Sequence, residues 1–495
     1  MSQAKSSSAE AGLRHELVDA GLFRSSAHVG GRWMGGGSPT LDVHDPATGE
    51  VIGTVPSLGA THARAAVDAA EAAFAGWSSL LPQERSAPLR RWYEAIMAAR
   101  DDLALIMTRE QGKPISEARG EIEYAASFVE FYAEESKRPN IESVTSHLAD
   151  AEVEVWREPC GVAALITPWN FPSAMLTRKA AAALAAGCTC VVFPSPETPY
   201  SAIALAVLAE RAGLPHGTFN VVTGRPEAIV GAWTADPRVR VLSFTGSTEV
   251  GRLLYRQSAD TVKRLVMELG GHAPVLVFAD CDLDQAVEET VKAKFATSGQ
   301  DCLAANRIYV ERPIYEAFCT RFAQAAAALT VGPGIEDPDI GPLANQRAVD
   351  KQKAHVEDAV ARGARLLVGG KVHPAGPLFF EPTVLADVPD ESVIFRQETF
   401  GPVAGLQAFE DEQEAVRKAN ETEYGLIGYL HTNDPRRIYR LSRALRFGMV
   451  AVNRTKVTGA PIPFGGMNQS GLGREGARLG MEAFTDVKYV CRDWK

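Results

Sequence analysis

The chain has 495 residues, enough for two or three domains, of which 46% are hydrophobic and 23% charged. That composition excludes a mostly disordered or collagen-like protein. Its 51 Lys and Arg against 61 Asp and Glu leave a formal charge of −10, which excludes an overall basic surface built for nucleic acid.

Residues 1–25 read as a polar N-terminal arm without the apolar run of a signal peptide, and Glu10, Glu16 and Asp19 argue against a mitochondrial presequence. Residues 45–56 alternate short strands with turn residues. A helix is expected from Thr61, read as its N-cap, with Val67, Ala70, Phe74 and Trp77 at helical spacing. A second helix is expected from Pro82, with Leu89, Trp92, Ile96, Ala99 and Leu103 on one face. The longest uncharged apolar stretch, residues 180–193, is too short to cross a bilayer. The 7 cysteines form no CxxC pair, and no histidines cluster. The expectation is therefore no disulfide framework, no metal site and a reducing, cytoplasmic setting.

From about residue 160 to 270, apolar strands (162–166, 189–193, 219–224, 241–246) alternate with Ala-rich helices such as 201–212. A second block runs from Ala273 to Val450, with strands at 275–278, 307–310 and 449–453. This alternation predicts an α/β fold with two doubly wound parallel-sheet domains. Segments 147–159 and 486–494 read as strands outside those sheets, forming a small β element suited to subunit contact.

Four local patterns carry chemistry. In MELGGH (267–272), Glu268 precedes two glycines that permit a tight turn, so its carboxylate can face a cleft; the alternative is a surface glutamate at a strand end. In SGQDCLAANR (298–307), Cys302 sits in a polar loop where a favourable field would lower its thiol pKa and supply a nucleophile; the alternative is inert packing. In TPWNFP (167–172), Asn170 lies in a loop stiffened by two prolines and can donate to an oxyanion, or simply form a turn. In FTGSTEVG (244–251), a strand, a Gly246-Ser247-Thr248 turn and a helix can hold phosphate, although the pattern is not GxGxxG.

Together these stretches closely resemble the aldehyde dehydrogenase superfamily: EPCGVAALITPWNFP (158–172), FTGST (244–248), MELGG (267–271), GQDC (299–302) and ETFGP (398–402). Within it, NFPSAMLTRKAAAALAAGC, LSFTGSTEVGR, IGPLANQRAV and PFGGMNQSGLGREG are most similar to succinate- and glutarate-semialdehyde dehydrogenases. The resemblance implies Cys302 as nucleophile, Glu268 as general base and Asn170, with the Cys302 N–H, as oxyanion donors. The implied reaction is NAD(P)-dependent oxidation of an aldehyde to the acid through a thiohemiacetal and a thioester. It implies cofactor contacts at Thr167, Trp169, Phe193, Ser195, Pro196, Gly246, Ser247, Leu269, Glu398 and Phe400. It also implies a dinucleotide-binding domain over 26–140 and 160–270 and a catalytic domain over 271–450. Residues 141–159 and 451–495 would form an oligomerisation element and tail, in a homodimer or homotetramer.

Two departures from the family pattern stand out. Phe193 and Pro196 replace a lysine and an acidic residue that grip the adenosine ribose, and Glu197 is a candidate substitute that favours NAD over NADP. On the substrate side, Arg178 is the implied carboxylate ligand, with Thr458 in place of a serine. Ala296 stands where a second arginine is common, which enlarges the pocket and admits a bulkier ω-oxo or aromatic aldehyde beside succinic semialdehyde. Arg454 and Lys456 are candidates to replace the lost charge, or else face solvent. A cysteine esterase needs the same thiol without a nucleotide, and FTGST and ETFGP speak against it. An inactive binding protein on the same fold is opposed by the intact Cys302, Glu268 and Asn170.

Overall fold

The computed structural model describes residues 12–138 and 140–493. Two large sheets organise the chain. In the first, eight strands lie in the order Gly471–Leu472, Arg264–Glu268, Val239–Thr245, Val162–Ile166, Thr189–Phe193, Phe219–Val221, Ala27–Val29, Arg32–Met34. The strands from Arg264–Glu268 to Phe219–Val221 run parallel, and the outer ones antiparallel. The runs VAALI and TCVVF are apolar at nearly every position because both faces are covered by helices, and both strands are buried throughout.

The second sheet has seven strands in the order Arg365–Val368, Thr383–Ala386, Val403–Phe409, Ala305–Glu311, Ala273–Val277, Ile427–His431, Met449–Val452, all parallel except the first. A separate antiparallel sheet joins Ile141–Val144, Ala151–Pro159 and Thr485–Asp493, with pairing from Thr485↔Pro159 to Asp493↔Ala151. This is the small β element expected from the sequence; residue 494 lies outside the described residues. No helix among the described residues is long and apolar enough to cross a membrane.

Register decides where a site can form. Ile166 pairs with Phe193 and with Phe244, and Thr245 pairs with Glu268. The carboxyl ends of these four strands therefore stand side by side, and the loops that follow them meet at one edge.

Several expectations are corrected. The described part of the N-terminal arm is not a free polar segment: residues 12–16 are helical, and Leu13, Leu17, Leu22 and Phe23 are buried in the main core. Leu13 and Leu17, four apart, form one apolar stripe that needs cover. Thr61 is exposed inside the helix Ala60–Ser78, whose N-cap is Gly59. The helix from Pro82 stops at Ala98, and Leu103 belongs to a second helix, Arg100–Gln111. The apolar stripe continues because the two helices follow one another against the same core. Residues 451–495 are not one tail: Gly471–Leu472 joins the first sheet, and only Thr485–Asp493 enters the separate one.

Candidate active site

Cys302 follows the helix Leu283–Phe295 and a tight turn, Ala296–Gly299. Thr297 and Ser298 take φ of +50° and +57° there, a left-handed conformation costly for a β-branched residue and kept only where surrounding bonds enforce it. Those bonds are present. The Thr297 N–H donates to both Glu117 carboxylate oxygens at 3.0 and 3.1 Å. Ser298 Oγ donates to Gly341 O at 2.9 Å. The Gln300 amide bridges Pro342 O (3.3 Å) and Ala344 N (2.9 Å). Gly271 lies so close behind the nucleophile that a Cβ there would stand 2.1 Å from Cys302 O.

Asn170 sits in the loop after strand Val162–Ile166. Its Nδ2 donates to Gln300 O at 3.0 Å, and its carbonyl accepts from Lys113 Nζ at 2.8 Å. An amide nitrogen carries two hydrogens, so one remains for a ligand. Asn170 and Cys302 line one cavity of about 660 Å³. Tyr124, Arg178, Ala296, Thr458 and Phe464 line it too, as do Gly246, Ser247, Leu269, Glu398 and Phe400.

Arg178 lies on the buried helix Ala174–Ala186 and is 1% exposed. Its Nε is 2.6 Å from Glu475 Oε2, and its guanidinium lies over the Phe464 ring at 4.1 Å. Nη1 is buried with no hydrogen-bond partner. The Tyr124 hydroxyl faces both Thr458 and Arg178. A buried cation with an unpaired donor, on the same cavity as a thiol, suits an anionic group on the ligand. Arg454 and Lys456 are exposed and stand outside the cavity wall. Thr455 anchors their loop to Glu289, through N–H to Oε2 and Oγ1 to O, both at 2.6 Å. These two cations therefore do not replace the charge missing at Ala296.

Glu268 ends strand Arg264–Glu268 but does not form part of the cavity wall. Both its oxygens are buried without partners, and Oε1 lies 2.8 Å from where a Gly465 Cβ would be. Burial, reinforced by Glu475, holds its carboxyl well above the usual range, against the pull of Arg178 and Lys179. The expectation of a carboxylate facing the cleft is thus corrected: the group packs inward. The Cys302 environment also differs from expectation. Burial, then Asp301 and Glu398, push its thiol well up, and Arg178 only partly opposes them. The resting group is a thiol, and a base must take its proton before attack.

Gly246 and Ser247, also on the cavity, precede the helix Thr248–Ser258, with Ser247 as its N-cap and Ser247 Oγ accepting from Val250 N at 3.3 Å. A Cβ at Gly246 would strike the Phe244 ring at 2.5 Å. Glu398 Oε1 accepts the Gly271 N–H at 2.8 Å, and burial raises its carboxyl to about 7. Phe400, at φ +51°, meets Trp169 edge-on at 5.6 Å. Helix-start amides, a carboxylate and an aromatic corner suit a ligand with phosphate, hydroxyls and a flat ring.

Thr167, Phe193, Ser195 and Pro196 are not brought to this cavity. Thr167 is buried with its N–H on Phe193 O at 3.1 Å, and Phe193 packs among Ile166, Val191 and Leu242. Ser195 donates to Glu197. Pro196 and Glu197 line a second cavity, of about 510 Å³, against residues 41–49, with Trp169 in the wall of both. Lys113, Glu117 and Glu121 are not marked by the sequence, because charges every fourth position read as a solvated face; Glu475 lies in a Gly- and Arg-containing stretch with nothing local to mark it as buried.

The geometry agrees with what the chain is similar to. The model of the aldehyde dehydrogenase family matches residues 33–490. The chain is 53% identical to an aspartate-semialdehyde dehydrogenase (non-phosphorylating) of Halomonas elongata, over 97% of this chain and 98% of that one. It is 48% identical to an NADP(+) succinate-semialdehyde dehydrogenase of Escherichia coli, over 96% and 99%. The crystal structure of succinate-semialdehyde dehydrogenase from Burkholderia pseudomallei superimposes with a TM-score of 0.95 at 50% identity, covering 96% of this chain and 99% of that one. With the family model spanning residues 33–490 and relatives of 48–53% identity covering almost the whole chain, the chain belongs to the aldehyde dehydrogenase family.

Proposed function

We propose that this NAD(P)-dependent aldehyde dehydrogenase oxidises a small semialdehyde bearing a carboxylate at its far end. The observation that carries the reading is Arg178: buried, held by Glu475, with Nη1 unpaired in the wall that also holds Cys302. The relatives' names point the same way, since aspartate and succinate semialdehydes both carry a carboxylate.

The cofactor fits the residues present. The amides at Gly246 and Ser247 would hold its phosphates, Glu398 its nicotinamide ribose, and Phe400 with Trp169 the ring. When bound, the nicotinamide supplies the acceptor for the aldehyde's hydride. The chain's own residues do the rest. Cys302 Sγ, its proton passed to a water molecule, attacks the aldehyde carbon while the carbonyl oxygen becomes an oxyanion. Asn170 Nδ2 and the Cys302 N–H hold that charge. Oxidation leaves the acyl group on Sγ as a thioester. Glu268, once ionised, takes a proton from a water that attacks the thioester carbon; the C–S bond breaks and the acid leaves. A carboxyl held high in pKa is a strong base when ionised.

Replacing Arg178 by Met is expected to raise KM for succinic semialdehyde about 10- to 100-fold, the worth of a charge-assisted hydrogen bond of about 1.5–3 kcal/mol. KM for butanal should move far less. Steady-state rates over aldehydes with and without a terminal carboxylate check this, and equal losses on both kinds would refute the assignment. Because the cavity carries the small Ala296 side chain in its wall, longer ω-oxo acids are expected to be accepted too.

The carboxyl of Glu398, raised to about 7 by burial, is protonated below that pH and ionised above it. Only the ionised form accepts fully from two ribose hydroxyls, so NAD binding should tighten several-fold from pH 6 to pH 8. Glu398→Gln should flatten the profile. Quenching of tryptophan fluorescence, titrated with both dinucleotides in the native chain and in Trp169→Phe, measures it. NAD is expected to bind tighter than NADP, since Phe193 supplies no cation for a 2′-phosphate.

The exposed Ile141, Val487 and Tyr489 of the three-stranded sheet support its use as a subunit contact in a homodimer or homotetramer.

A further inference from the structure

We propose that Lys113, Glu117 and Glu121 are positioning residues that hold the two halves of the oxyanion site, the Asn170 loop and the turn before Cys302, in fixed register. The inference rests on the catalytic reading of Cys302 and Asn170 given above and extends it to three residues outside the reacting set.

Lys113 follows Gly112, which ends one helix at φ +92°, and precedes the helix Ile115–Glu135, which carries both glutamates. Glu117 and Glu121, four apart, project from one side of that helix. Lys113 Nζ donates to Asn170 O at 2.8 Å and to Glu121 Oε2 at 2.5 Å, and lies over the Phe171 ring at 4.1 Å. Glu121 Oε1 accepts from the N–H groups of Ser173 (3.0 Å) and Ala174 (3.2 Å). The Asn170 loop is therefore held on both sides of the amide. One turn away, Glu117 takes the Thr297 N–H with both oxygens. The Asn170 Nδ2 bond to Gln300 O closes the ring between the two loops.

The lysine and Glu121 side chains are each 1% exposed. Burying such a pair is costly, and apolar residues of similar volume often serve stability as well or better. What apolar residues cannot do is bond the main chain of two loops that must stay aligned. Misplacing such donors by about 1 Å can cost about 100-fold in rate.

The test separates an oxyanion from mere reach of the thiol. With p-nitrophenyl acetate, Sγ bonds to the carbonyl carbon, an oxyanion forms, and p-nitrophenolate leaves. With iodoacetamide, Sγ bonds to a saturated carbon, iodide leaves, and no oxyanion forms. Glu117→Ala, and the charge-neutral pair Lys113→Met with Glu121→Gln, are expected to slow acylation about 10- to 100-fold while alkylation of Cys302 stays within about twofold. Glu117→Gln retains an oxygen for the Thr297 N–H and should restore most of the acylation rate. Should the double variant fail to fold, the two Glu117 variants alone decide. Parallel loss of both rates, or loss of neither, would overturn the proposal. A wild-type rate of ester cleavage in Cys302→Ala would instead strike the catalytic reading itself.

Discussion

Replacing Cys302 by alanine is expected to lower aldehyde oxidation by about 10⁴-fold or more, with NAD(P) affinity nearly unchanged. The residues placed for the cofactor are Gly246, Ser247, Glu398 and Phe400, with Trp169, and each is held by its own main chain or by neighbours other than Cys302. None of them depends on Sγ for its position. Binding and turnover should therefore separate cleanly when dinucleotide titration is set beside absorbance growth at 340 nm. Undiminished NAD(P)H production by the variant would end the assignment. The same thiol, raised by burial and by Asp301 and Glu398, predicts that acylation by the native enzyme speeds up as pH rises.

Glu268→Gln gives the second large effect. Steady-state turnover should fall by about 10²–10⁴-fold, the usual worth of a general base, while the first turnover survives. Rapid mixing should show a burst of about one NAD(P)H per active site followed by a slow phase, because the thioester forms but is not released. A loss with no burst would show that Glu268 acts earlier, on the thiol. The inward packing of its carboxyl against the Gly465 segment, beside Glu475, adds a condition: the group must ionise and reach the thioester before it can act.

How much the sequence revealed follows from how local each signal was. Strands covered on both faces, such as 162–166 and 189–193, are unbroken apolar runs and were legible. Strands 403–409 and 427–431 were not, because Gly405, Gln407 and Gly428 interrupt their runs. Gly428 packs against Phe447 and Gly405 against Phe395, so the missing side chains are filled by aromatic rings from outside the strands. The pattern around Cys302, Asn170 and Glu268 was legible because glycines and prolines mark the loops. Their electrostatics were not: Glu398 and Glu475 reach the site from far along the chain. Arg178 was legible as a candidate ligand, but its fixed orientation depends on Glu475, almost 300 residues away. Residues 12–23 looked polar by composition, and only the presence of a groove to receive Leu13, Leu17, Leu22 and Phe23 turns them into core.

The contact of Gly271 with the nucleophile's main chain has a practical side. A methyl group at that position would displace the carbonyl of Cys302, so any library of variants meant to retune this enzyme should treat Gly271 as closed. Ala296 and Thr458, which line the same cavity as Cys302, are the sites where chain length and bulk of the accepted aldehyde can be redrawn.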